Sequence, residues 1–150
     1  MCNPIKSVSE GSQPAEFWIG IEQFNQGEYY ACHDTLEAIW MEAIQLDRAF
    51  YQGVLQIAVG LYHLTNLNWQ GAAILLGEGS RRLDAYGEIY GGINVIDLVD
   101  QSHNWLAALQ SVGPDHVQQL ASVLLNRTLS ADPHDLANGI ELIVPKITRV

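Results

Sequence analysis

The chain has 150 residues, 48% of them hydrophobic, with seven basic against seventeen acidic residues and a formal net charge of −10. That is enough chain for one well-packed domain and too much apolar content for a disordered one. The charge argues against nucleic acid, where basic groups supply most of the non-specific affinity, and against an anionic membrane surface.

No apolar run is long enough to span a bilayer. Residues 54–67 come nearest, and Gln56, His63 and Asn66 interrupt them. The first residues show no basic region leading into an apolar block and a small-residue cleavage site, so no signal peptide is expected. Two cysteines, Cys2 and Cys32, give no disulfide framework. The expectation is a soluble, cytoplasmic protein.

Residues 1–13 are rich in Ser, Gly, Pro and Asn and read as a flexible arm. A first helix starts near Pro14 and carries Phe17, Ile21 and Phe24 at helical spacing, until Gly27 breaks it. A second helix covers residues 28–44. Asp47 is expected to cap a third, over residues 48–66, which is apolar nearly all round and so belongs among other helices. Gly53 and Gly60 share one face of it and predict the close approach of a neighbour. Asn68 caps a fourth helix reaching Tyr86, with Ala72, Leu76, Gly79 and Leu83 on its apolar stripe.

Gly91 and Gly92 mark a turn. Asn94 with Asp97 opens a fifth helix through Trp105, Leu106 and Leu109. Gly113-Pro114 opens a sixth with Val117, Leu120, Leu124 and Leu125. Asp132-Pro133 and Asp135 start a short last helix ended by Gly139, and residues 140–150 lie along the bundle, extended or irregular. The fold expected is all-α, a single-domain bundle of five to seven helices with a buried central third helix. Residues 1–13 form the arm, 14–112 the helical core, and 113–150 an extension packed on the same domain.

Five polar residues stand on these apolar elements: His33, Glu37, Gln52, Gln56 and His63. His33, Leu36, Glu37 and Trp40 are spaced to share one face of the second helix, which turns the imidazole and the carboxylate toward the core. Gln52, Gln56 and His63 line one stripe of the third. Antiparallel packing of the two helices brings His33 and Glu37 to the depth of Gln52 and Gln56, with Arg48 near Glu37 across the connection.

Three readings follow. The cluster is an ordinary buried hydrogen-bond network. Or it is a metal site, since two His and one Glu suit zinc or iron, although H-x-x-x-E with a distant His is far less specific than H-E-x-x-H. Or His33 held by Glu37 shuttles protons as a general acid or base. Cys32 reads as a small buried hydrophobe, Trp40, Trp69 and Trp105 as core, Trp18 as an exposed contact, and His103, His116 and His134 as surface residues. No P-loop, dinucleotide fingerprint or G-x-S-x-G occurs.

These residues resemble the uncharacterised family known as domain of unknown function 309. The likeness rests on His33-Asp34-Thr35-Leu36-Glu37-Ala38-Ile39-Trp40, then Arg48, Gln52-Gly53 and Gln56, then His63, Asn68 and Gly71-Ala72, over residues 17–110. Leu67 stands where the family pattern has Gly before the Asn. The resemblance implies an all-helical bundle of a prokaryotic or plastid-type protein and no assigned activity.

The leading expectation is a ligand-binding or interaction module with a polar pocket between the second and third helices, lined by His33, Glu37, Arg48, Gln52, Gln56 and His63. One alternative is a hydrolase-type enzyme, with or without a metal, using His33, Glu37 and His63. Another is a scaffold with a purely stabilising network. No cofactor is expected, a divalent metal being the minority reading. The partner expected is a small molecule or a protein, with a homo-oligomer open and neither nucleic acid nor membrane.

Overall fold

The computed structural model describes residues 13–125 and 142–150. Among them six α-helices follow in order: α1 Ala15–Asn25, α2 Tyr29–Glu42, α3 Gln45–Thr65, α4 Trp69–Leu83, α5 Val95–Val112 and α6 Val117–Leu124. A short 3-10 turn, Asp84–Tyr86, and an antiparallel hairpin of β1 Ile89–Tyr90 and β2 Ile93–Asn94 join α4 to α5. The fold is all-α. The expected short helix between Asp132 and Gly139 lies outside the described residues, as do residues 1–12.

Helix α3 is the central element, buried from Phe50 and Tyr51 through Val54, Ile57 and Leu61 to Leu64, with Gln52, Leu55, Val59 and Tyr62 half-buried on the remaining side. Its glycines set the packing against α4. A Cβ on Gly53 would lie 2.7 Å from the Leu83 side chain, and one on Gly79 would lie 2.8 Å from the Gly53 carbonyl oxygen. On Gly60 it would meet the Leu76 backbone nitrogen at 3.1 Å. The two helices therefore touch nearly backbone to backbone.

Two helix ends differ from the sequence reading, while the turn at Gly91 and Gly92 is where it was expected and closes a hairpin that was not. Helix α3 begins at Gln45 with Ile44 at its N-cap, so Asp47 stands inside the first turn and is buried. Helix α4 stops at Leu83, and Tyr86 ends the 3-10 turn instead. Gly91 and Gly92 both have positive φ and close the β hairpin, a strand pair too short to leave a period in the sequence. The caps at Asn68 and Asn94 are as expected, each side chain accepting from the backbone nitrogen three residues on.

The tail is extended and well held. Asn25 makes two hydrogen bonds with the Ile147 main chain, donating at 2.9 Å and accepting at 2.7 Å. Gln101 does the same for Lys146, at 2.8 and 2.9 Å. Trp105 donates its indole N–H to the Ile143 carbonyl, and Arg149 forms a bridge with Ile93 in β2. Trp18 is half-buried rather than free, with the Arg149 guanidinium 3.8 Å above its ring.

Candidate functional site

Helix α2 buries the stripe Tyr29, Cys32 and Leu36. His33 and Glu37 each follow a member of that stripe, about 100° further round, and so sit at its edge. The His33 side chain is 21% exposed and that of Glu37 is 49% exposed. The expected inward carboxylate is thus corrected: Glu37 faces solvent. His33 Nδ1 lies 3.2 Å from Asp34 Oδ1, and its Nε2 lies 3.9 Å from Glu37 Oε2. Ligand atoms of His33, Asp34 and Glu37 fall within 4.8 Å of one another.

The amides of α3 do not meet this group. Gln56 shares a face with Gly53 and Gly60, and that face belongs to α4. There its amide donates to Glu78 Oε1 at 3.2 Å and accepts from Arg82 Nε at 3.0 Å, a half-buried link between opposite charges. Gln52 is half-buried. His63 closes the α3–α4 turn: its Nδ1 is 3.2 Å from Asn68 Nδ2, and Gly71 leaves room for the ring. Arg48 lies over the Trp40 ring at 4.4 Å, a cation–π contact. Of the six expected residues only His33 and Glu37 are brought together, with Asp34; Arg48, Gln56 and His63 have other partners.

Cys32 is fully buried, and burial pushes its thiol up to about 12. That is the behaviour of a core side chain, not a nucleophile. Trp105 is core, while Trp40 and Trp69 are half-buried; His103 and His116 are exposed. His134 lies outside the described residues.

A cleft of ≈520 Å³ opens where the start of α1, the last turn of α2 and the first turn of α3 converge. Ile39, Ala43 and Ile44 give it apolar walls; Glu16, Glu42 and Asp47 give it carboxylates; Tyr51 closes one side. Its volume is that of an ordinary small-molecule site. Asp47 is 2% exposed, and the Tyr90 hydroxyl donates to its Oδ1 at 2.5 Å. The Tyr51 hydroxyl donates to Gln13 Oε1 at 2.6 Å, which ties down the residue before the Pro14 cap of α1. Burial, then the Asp47 carboxylate and Tyr90, raise the Tyr51 hydroxyl above the ordinary tyrosine range. Tyr86 is raised by burial and by Asp47 in the same way.

None of the expected binding residues lines this cleft. The sequence did hold part of the signal, since Asp47 and Tyr51 are four apart and share a helix face. Tyr90 reaches Asp47 only through the hairpin, a long-range pairing that no spacing announces.

Residues 17–75 match the family model described as a domain of unknown function, DUF309. The DUF309 match ends inside α4, short of the 110 expected from the resemblance, so the hairpin, α5, α6 and the tail lie beyond it. The same length of chain, 59 residues, is 37% identical to "Uncharacterized protein YpuF" of Bacillus subtilis (strain 168), covering 39% of this chain and 34% of that protein. The chain thus spans about a third of the length of this curated relative. No solved structure matches. Neither the DUF309 description nor the relative's name carries a function. The matched stretch holds His33, Glu37, Asp47 and Tyr51, and leaves out Glu16 and Tyr90. Among the described residues, no helix is long and apolar enough to cross a membrane.

Proposed function

We propose that this chain is a small-ligand-binding module and that the cleft between α1, α2 and α3 is its site. One observation carries the reading: a buried carboxylate, Asp47, held by Tyr90, stands in the wall of an apolar-sided cleft of ≈520 Å³. Burying a carboxylate is costly, and a rigid, hydrogen-bonded carboxylate beside a hydrophobic surface is a common way to orient a ligand. No reaction is proposed for it. A cytoplasmic location is consistent with the reduced, buried Cys32. The acidic surface disfavours nucleic acid as a partner.

The test fills the cleft. Ala43→Trp, at the half-buried end of α2, occupies the space without touching Asp47. Binding of six-carbon amphiphiles, followed by ligand-observed NMR, is expected in the native chain and lost in the variant. Equal binding by both proteins contradicts the reading.

A second reading is supported by the mutual proximity of His33, Asp34 and Glu37, whose ligand atoms lie within 4.8 Å. One imidazole and two carboxylates suit zinc or manganese. A half-buried imidazole and two exposed carboxylates leave coordination positions open to water, so this site holds its ion weakly. Titration with zinc chloride, followed by calorimetry in the native chain and in His33→Ala, tests it. Equal heats from the two proteins sink it.

A further inference from the structure

We propose that the ligand taken by this cleft is an alkylammonium: a protonated amine carried on an apolar body. The inference rests on the reading of the cleft as a binding site and goes beyond it to the chemical class. Among the described residues, every formally charged side chain lining the cleft is acidic: Glu16, Glu42 and Asp47. The cation nearest in sequence, Arg48, is turned away onto the Trp40 ring. A carboxylate or phosphate entering here would meet like charge, from Glu42 above all, whereas an ammonium meets opposite charge.

The helix ends agree. Helix α2 ends in the cleft wall, with Ala43 as its C-cap and no basic residue in its last turn. Its terminal carbonyls add partial negative charge beside Ala43, only part of which is met by Arg48 over the Trp40 ring of the same turn. The starts of α1 and α3 bring the opposite partial charge, but Glu16 and Asp47 occupy their first turns and answer it. What is left over is the negative end of α2 and Glu42. The other half of the cleft, Ile39, Ala43 and Ile44, is hydrocarbon and asks for a hydrocarbon body. The groove therefore separates a head site from a tail site.

The experiment compares three probes of equal length at neutral pH on the full chain: hexylammonium, 1-hexanol and hexanoate. Hexylammonium is expected to bind about two- to fivefold more tightly than hexanol, and hexanoate more weakly than either. Raising sodium chloride from about 0.02 to about 0.3 M weakens the amine and leaves the alcohol unchanged. Glu42→Gln, an exposed and nearly isosteric change, lowers amine affinity severalfold with no effect on hexanol. Equal affinity of amine and alcohol overturns the ammonium assignment and leaves the cleft as a binding site. Absence of binding by all three probes, or binding that survives Ala43→Trp, overturns both.

Discussion

Tyr90 and Asp47 lie 43 residues apart in the chain and share a 2.5 Å hydrogen bond. That bond ties the β hairpin to the first turn of α3 and fixes one wall of the cleft. Removing the hydroxyl leaves a buried carboxylate short of a donor. Tyr90→Phe is therefore expected to lower stability by about 1.5–3 kcal/mol, the range for hydrogen bonds to charged groups. Urea unfolding of the two proteins measures it, and an unchanged midpoint would mean the bond contributes nothing.

The α3–α4 contact predicts an order between two glycines. A Cβ on Gly79 meets backbone atoms, the Gly53 oxygen at 2.8 Å and the Ile57 nitrogen at 3.0 Å. A Cβ on Gly53 meets chiefly the movable end of Leu83. Alanine gains about 1 kcal/mol of helix propensity over glycine at either place, and overpacking costs about 1–3 kcal/mol. Gly79→Ala should destabilise clearly, and more than Gly53→Ala. Thermal melts of the two variants give the ranking.

Leu67 has φ +63°, the left-handed region that a bulky side chain rarely adopts. It is more than half exposed, so little packing is lost with its side chain. Leu67→Gly should raise stability by about 1 kcal/mol. A lower melting temperature in the variant would show that the side chain has a packing role.

Alkaline pH gives a signed test. Cys32 titrates near 9 when unfolded and is pushed up to about 12 by burial in the fold. A raised folded value keeps its contribution whole below pH 9 and removes it as pH climbs through the folded value. Stability should be flat with respect to this group below pH 9 and fall between 9 and 12, at about 1.4 kcal/mol per unit for one group. Tyr29 and Tyr51, also raised by burial, add to the fall above the ordinary tyrosine range. Cys32→Ala should flatten the first part of the curve, read by urea unfolding at a series of pH values.

Much of the architecture was legible because it is local. Helical spacing placed α1 to α6, the two Asn caps are short-range side-chain contacts, and Gly53 with Gly60 announced the tight face of α3. The same glycines hold the lesson about the site. Gln56 and His63 lie three or four residues from Gly53 or Gly60 and so share the α4-facing side of α3. Placing them opposite α2 was an error that the glycine face itself could have corrected. Likewise Glu37 follows Leu36, the buried member of its stripe, and one residue is enough to turn a side chain from core to solvent. Tyr90 with Asp47 and Asn25 with Ile147 are pairings 43 and 122 residues apart, and no local period encodes them.

The central claim is that the ligand site is the cleft beside Asp47 and not the His33–Glu37 face. Backbone amide shifts recorded while hexylammonium is added to the 15N-labelled full chain test it most directly. Saturable shifts are expected at Ile39, Ala43, Ile44 and Tyr51, with His33, Asp34 and Glu37 unmoved. Shifts confined to the His33 face, or none that saturate, would contradict it.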